Sequence, residues 1–249
     1  MITRATFQLN DTEYSIDLSK PLDISIPLKS GSENPSAWYI DPPKIDPVVM
    51  GDWIGNVKSG ASTNFNNIAF NPHAHGTHTE CVGHITKEFY SINDCLKTFF
   101  FTAEVISVRP EKHEDDFVIT KQQLKEKILR KPEAIILRTI PNTSDKLTKQ
   151  YSHTNPPYLE EEATIYLKDL GIKHLLIDQP SVDKEEDGGA LVSHNAFWNT
   201  SNHIRFDATI TEFIYVPNHI EDGLYVLNLQ IASFHNDASP SKPILYKIK

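Results

Sequence analysis

Two apolar runs flanking an amphipathic stretch constrain the fold of this chain more than any other feature. Residues 134–139 and 174–178 are short and built on the apolar runs Ala134–Leu137 and Leu175–Ile177, the pattern of strands. Between them, residues 157–170 open on Pro157 and the acids Glu160, Glu161 and Glu162, and the stretch stops at Gly171. Proline suits the first helical turn, acids offset the positive end of the helix dipole, and glycine takes the left-handed conformation just past a helix. Strand, helix, strand in that order predicts a right-handed βαβ unit with a parallel strand pair.

Residues 101–108, 208–216 and 224–231 have the β-branched and aromatic content of further strands. A helix over 121–130 puts Leu124, Ile128 and Leu129 on one side and charge on the other. No helix signal follows residue 208, so the tail should add antiparallel strands. Residues 30–65 are rich in Pro, Gly, Ser and Asn, and Pro35, Pro42, Pro43 and Pro47 break any helix there. Irregular segments of this length are often functional. The aromatics in this one, Trp38, Tyr39 and Trp53, can cover a pocket or pack on the core. The expectation is a mixed α/β fold in one domain, residues 1–249, with one mixed sheet and flanking helices.

The charge balance narrows the function. Thirty-three acidic against 24 basic side chains give a net charge of −9, and no basic stripe appears, so nucleic acid is not an expected partner. Two cysteines make no disulfide framework. The first residues lack an apolar leader, and no apolar run is long enough for a bilayer. The expectation is a cytoplasmic protein with reduced thiols and no membrane partner.

The chemistry concentrates between residues 71 and 84. His73, His75, His78 and His84 fall there, four of eleven histidines, with Glu80 and Cys81 among them. Imidazole and carboxylate are common ligands of zinc, manganese and iron. In a strand His78 and Glu80 face the same side, two ligands at one point. A solvated histidine loop is the competing reading. Against it, the apolar residues 67–70 lead in and Cys81-Val82 follow, so the tract should run inward. Thr77 offers a hydroxyl to a neighbouring ligand, and Gly76 allows a turn.

Two more clusters stand downstream. The apolar run Leu175-Leu176-Ile177 ends in Asp178, Gln179, Pro180, Ser181, Val182 and Asp183, and sheets place sites at such strand ends. Turn chemistry explains Asp178 and Asp183 equally well. His194 follows, readable as a loop histidine. Glu212 interrupts an apolar strand, so it faces either solvent or a partner that justifies its burial.

Read together, Gly76-Thr77-His78-x-Glu80-x(3)-His84, then Ile177-Asp178-x-Pro180-Ser181-Val182-Asp183, then His194, then Glu212, resemble the cyclase family. That family of metal-dependent hydrolases includes bacterial kynurenine formamidase and isatin hydrolase. Ile135-Ile136-Leu137-Arg138-Thr139 and Leu167-Lys168-Asp169-Leu170-Gly171-Ile172 match as well. The resemblance implies a swivelling β/β/α fold and a divalent metal, zinc before manganese, with one or two ions. It implies His73, His78, Glu80, His194 and Glu212 as ligands and His84 as the acid–base group. Thr77, Ser181, Asp183, Trp38 and Trp53 become supporting or substrate-facing residues. A homodimer or homotetramer acting on a small molecule completes what it implies.

The chain departs from the family pattern in three places. Ala74 stands where the family has histidine; a bulge that brings in His73 is the first choice, and His75 is the alternative. Glu80 replaces the usual aspartate. Cys81-Val82 replaces Ala-Pro, with Cys81 read as a buried small hydrophobe before a ligand or nucleophile. The expected reaction is hydrolysis of a small amide, formamide or cyclic amide by a metal-activated water. Lactone or ester hydrolysis on the same site, metal binding without turnover, and a partner-binding module with an incidental histidine tract are the alternatives.

Overall fold

The computed structural model describes residues 2–9 and 11–249. The strands of its principal sheet, in chain order, are β1 (Leu22–Asp23), β2 (His78–Glu80), β3 (Phe100–Val108) and β4 (Ala134–Thr139), followed by β5 (His174–Ile177), β6 (Thr209–Glu212), β7 (Gly223–Ile231) and β8 (Ala238–Lys247). They lie in the order β7-β3-β4-β5-β6-β2-β8-β1, and β7 also pairs with β8. That extra pairing joins seven strands into a barrel-like ring and leaves β1 attached outside it. β3, β4, β5 and β6 run parallel to their neighbours in that series. The β6–β2, β2–β8, β7–β8 and β7–β3 pairings are antiparallel.

Alternation along each strand sorts the core into two layers. Ala134, Ile136 and Leu176 pack with Val105, Leu227, Leu229 and Leu245 inside the ring. Ile135, Leu137, Leu175 and Ile177 face outward and pack with Leu124, Leu167, Phe197 and Trp198. The outer residues come from three helices: α1 (Lys121–Lys127), α2 (Glu161–Asp169) and α3 (Val192–Trp198). A Thr120–Gln123 capping box starts α1. Gly171, at φ +85°, follows α2. Both faces of β4 and β5 are therefore covered, which explains the unbroken apolar runs Ala134–Leu137 and Leu175–Ile177 within them.

The βαβ unit β4-α2-β5 forms as expected, with Ala134 paired to His174 and Leu137 to Ile177. Several boundaries differ. The helix after Pro157 starts later, because Tyr158-Leu159 is a short strand parallel to Val118-Ile119. α1 ends at Lys127: Ile128 takes an extended conformation that keeps it in the core. Leu129 is thereby turned outward, 77% exposed. The strand expected over 208–216 stops at Glu212, because Phe213 adopts φ +54°. The tail is not purely antiparallel, since β6 lies parallel to β5. That parallel pair has a crossover helix, α3, where a loop was expected. Within 30–65, short strands interrupt the irregular chain, Lys44–Pro47 pairing with Asn66–Ala69 and Val49–Met50 with Trp53–Ile54. No helix among the described residues is long and apolar enough to cross a membrane.

Candidate metal centre

Strand β2 sets the centre. Its first and third residues, His78 and Glu80, share a face with Glu212 and Ile210, their respective register partners on β6. That face is the helix-covered side of the sheet, to which Ile210 also belongs. His78 Nε2 therefore meets Glu212 Oε2 at 3.4 Å. On the opposite face Thr79 and Thr211 hydrogen-bond through their hydroxyls at 2.8 Å. Glu212 is buried, 3% exposed, so the solvent-facing reading of this residue is corrected. Its Oε1 accepts the Val182 N–H at 2.9 Å.

Helix α3 brings the distant histidine. Its leading residue, Leu191, is left-handed and offers no side-chain cap. Asp183 supplies the cap from outside: Oδ1 accepts the Ser193 N–H at 2.7 Å and Oδ2 the His194 N–H at 3.1 Å. A carboxylate there satisfies two orphan donors and sits at the positive end of the helix. The same Oδ2 takes His194 Nδ1 at 2.6 Å. The ring is thereby turned so that Nε2 points at Glu80 Oε1, 3.0 Å away. His194 is a helical residue with a fixed orientation, not a loop histidine.

His73 arrives from a turn rather than from a bulged ladder. Its N–H is held by the Asn71 side chain, and its carbonyl accepts the Trp38 indole N–H at 3.1 Å. Nδ1 lies 3.0 Å from Glu80 Oε2, and Nε2 lies 2.7 Å from Asp237 Oδ2. Its ring stacks on His84, centroids 4.0 Å apart. His84 ends a tight turn, Val82–His84. Gly83 makes that turn possible, because a Cβ there would lie 2.2 Å from the Tyr90 carbonyl oxygen. His84 Nε2 is 3.9 Å from Glu80 Oε2, and Nδ1 is 3.4 Å from Asp237 Oδ2.

The electrostatics follow from packing acids among imidazoles. Burial works to raise the Glu80 carboxyl, but His84, His194 and His73 hold it well below the usual carboxylate range. Burial works to lower His194, yet Asp183 and Glu80 hold it well above the usual imidazole value. Burial likewise opposes His73, which Asp237 and Glu80 raise to about 10. Asp237 is opposed by burial and lowered by His73 and His84. This acid set calls for positive charge, and ring protons compete with a cation to supply it.

Three atoms test whether a metal fits. His73 Nδ1, His78 Nε2 and Glu80 Oε2 are buried, and although His73 Nδ1 is 3.0 Å from Glu80 Oε2 and His78 Nε2 is 3.4 Å from Glu212 Oε2, none of the three makes a well-directed hydrogen bond among the described residues. One potential ligand atom from each of His73, His78 and Glu80 lies within 4.8 Å of the other two. Buried polar atoms seldom lack a partner, and these three share one gap. Two imidazoles and a carboxylate around one point are a donor set suited to a divalent transition-metal ion. His194 and Glu212 border the same gap. Glu80, His84 and His194 form a second set of donors within the same limit, and His73, His84 and Asp237 a third. The centre opens onto a cavity of about 330 Å³ walled by Trp38, Ile40 and Leu191, with His84 and Ser181 in its lining.

Other expected residues fall elsewhere. His75 is buried, its Nδ1 accepts the Asn71 N–H at 2.9 Å, and it joins none of these clusters. Thr77 touches no ligand: its hydroxyl donates to the Phe213 carbonyl at 2.5 Å and accepts the Ile26 N–H at 2.7 Å. Ser181 Oγ accepts the Asp183 N–H at 3.0 Å. Trp53 lies outside the cavity and packs against Phe65, centroids 6.4 Å apart. Cys81 follows Glu80 and so faces the other way, into the ring interior, where its thiol reaches the Tyr90 carbonyl at 3.3 Å. Asp178 is paired with Lys146 Nζ at 2.8 Å beneath the sheet end, a structural contact. Asp237 is the participant that sequence reasoning missed, since Asn236-Asp237 before a strand reads as turn chemistry.

The Cyclase family model ("Putative cyclase") matches residues 16–184 of the chain. No curated protein matches it. Among solved structures, a potential metal-dependent hydrolase with cyclase activity is 16% identical with TM-score 0.65, covering 91% of this chain and 97% of that one. A predicted metal-dependent hydrolase from Bacillus stearothermophilus is 18% identical with TM-score 0.62, covering 91% and 98%. Isatin hydrolase A from Ralstonia solanacearum is 14% identical with TM-score 0.67, covering 91% of each chain. At these identities the likeness is one of fold.

Proposed function

The chain belongs to the cyclase family, and from that premise we propose that it is a divalent-metal-dependent hydrolase of a small amide, formamide or cyclic amide. The observation that carries this is the convergence of the unpartnered His73 Nδ1, His78 Nε2 and Glu80 Oε2 beside a pocket. His73, His78, Glu80, His194 and Glu212 would hold the ion, zinc before manganese. A bound ion supplies a water of lowered pKa and polarises a carbonyl.

The protein's own residues do the rest. His84, 30% exposed at its side chain and lining the cavity, takes a proton from water at Nε2 and returns it to the leaving nitrogen. An amide needs that returned proton more than an ester does, because a free amide anion is a far poorer leaving group than an alkoxide; His84 thus favours the amide reading over lactone or ester hydrolysis. Trp38, Ile40 and Leu191 offer an apolar wall to a substrate of one or two rings, and a cavity of this size lies at the small end of ligand pockets. Small-molecule substrates, and not nucleic acid or membrane, fit an acidic chain with this cleft.

Metal-loaded protein assayed with N-formylkynurenine, isatin and simple lactones tests the reading. Turnover of either nitrogen substrate, abolished by a chelator, is the expected result. Turnover of lactones alone assigns the site to esters, and a loaded protein inert to all three is a metal-binding protein without this activity.

A further inference from the structure

Asp237 touches both halves of the proposed machinery through one oxygen. Its Oδ2 lies 2.7 Å from His73 Nε2 and 3.4 Å from His84 Nδ1. The two rings it joins stack with centroids 4.0 Å apart and planes 24° from parallel. We propose that Asp237 is a positioning residue shared by a metal ligand and the acid–base histidine. The inference rests on the hydrolase reading above.

The argument runs from ring chemistry. A neutral imidazole carries one N–H and one lone pair, and the hydrogen bond at one nitrogen decides which nitrogen is free. By accepting the Nε2–H of His73, Asp237 leaves the Nδ1 lone pair facing Glu80 Oε2, where the buried unpartnered atoms meet. His84 Nδ1 lies 3.4 Å from the same oxygen, and a proton kept on that nitrogen by the carboxylate leaves Nε2, 3.9 Å from Glu80 Oε2, as the lone-pair nitrogen. A carboxylate has the capacity for both bonds, and partners of this kind fix ligand orientation and raise ligand basicity.

This role also accounts for a departure in the sequence. The chain has Ala74 where the family's first histidine stands, and residue 74 is fully packed, 1% exposed. His73 reaches the centre from one position earlier, on a turn that does not by itself fix a ring. Asp237 and the stacked His84 fix it from the other side. The backbone carbonyl of Asp237 separately accepts the Cys81 N–H at 3.0 Å, so shortening the side chain leaves the strand contact intact.

The test is zinc titration of the chelator-stripped full chain against a competing chromophoric chelator, for wild type, Asp237→Ala and Asp237→Asn. Asp237→Ala is expected to weaken zinc binding by about 10- to 100-fold at unchanged stoichiometry. Asp237→Asn, whose amide oxygen can accept one ring N–H, should recover part of the loss. In the zinc-loaded protein, ring ¹H–¹⁵N correlations should show His84 as the Nδ1–H tautomer in wild type and a growing Nε2–H population in Asp237→Ala. Equal zinc affinity in wild type and Asp237→Ala, or an unchanged His84 tautomer, overturns the proposal and leaves the hydrolase reading standing. Two ions in wild type and one in Asp237→Ala overturn it too, by making Asp237 a ligand. Absence of zinc binding in wild type removes both readings together.

Discussion

His194 Nε2 and Glu80 Oε1 meet at 3.0 Å although the two residues are 114 positions apart. One stands on helix α3 and the other on strand β2, so this contact fixes the helix layer against the sheet at the candidate metal centre. Both side chains are buried, 3% and 0% exposed. The orientation of His194 in turn depends on Asp183, which makes three bonds to the first turn of α3.

Replacing Asp183 with alanine should therefore destabilise the fold strongly. It strips two backbone N–H groups and leaves a buried imidazole without its partner. Breaking a buried charged pair costs about 3–5 kcal/mol, and for a chain of this size each kcal/mol lowers Tm by roughly 2–4 °C. A fall of about 6–20 °C in a thermal melt is expected. A Tm within a degree or two of wild type would show that Asp183 does not cap α3.

His78 and His84 should separate binding from turnover. His78→Ala removes a donor whose Nε2 has no other partner, so purified protein should lose its metal. His84→Ala should keep metal and lose about 10²- to 10⁴-fold in kcat, the usual contribution of general acid–base catalysis. Elemental analysis with steady-state kinetics checks both. Full metal content in His78→Ala removes it from the ligand set.

Gly83→Ala probes the turn that presents His84. A Cβ at residue 83 meets backbone, the Tyr90 carbonyl, at 2.2 Å, so the turn must shift. Overpacking of this kind costs about 1–3 kcal/mol. The expected result is a lowered Tm together with a larger loss of kcat than of metal content. Wild-type kcat in this variant would mean that the Val82–His84 turn does not set the position of His84.

The parts that could be read from sequence are those with local causes. Residues 134–137 and 175–177 are apolar because both faces are covered, and Gly171 marks the helix end by its left-handed conformation, so β4-α2-β5 was readable. Helix α3 was not: its leading residue is left-handed Leu191, and its cap, Asp183, lies 11 residues before His194. The parallel β5–β6 pair was hidden by the same gap. In the centre, His78 and Glu80 follow from strand alternation, whereas Glu212 depends on a register, opposite His78, that only the folded sheet supplies. Asp237 sits 164 residues from His73, and nothing local distinguishes it from a turn aspartate.

Away from the centre, His174 should make the fold sensitive to mild acid. It is buried against Phe101 and hydrogen-bonded through Nδ1 to the Thr209 hydroxyl at 2.8 Å. Burial lowers its pKa from 6.5 to about 3. The unfolded chain thus takes a proton below pH 6.5 that the folded chain refuses. Its stabilising contribution is intact above pH 6.5 and is lost as pH falls from there towards 3, at up to about 1.4 kcal/mol per pH unit. Urea unfolding of wild type and His174→Gln at pH 7.5 and 5.5 should show the stability gap narrowing by about 1 kcal/mol at the lower pH. A gap that does not change with pH would place a charged His174 in the folded protein.

The most direct test of the metal centre is a thermal melt of chelator-stripped protein with and without added zinc. At a hundredfold excess over Kd, binding to the folded state alone adds about 2.7 kcal/mol, or roughly 5–10 °C in Tm. Wild type should show that rise and His78→Ala should not. An unmoved melt in wild type, or an equal rise in the variant, would contradict a cation held by His73, His78, Glu80, His194 and Glu212.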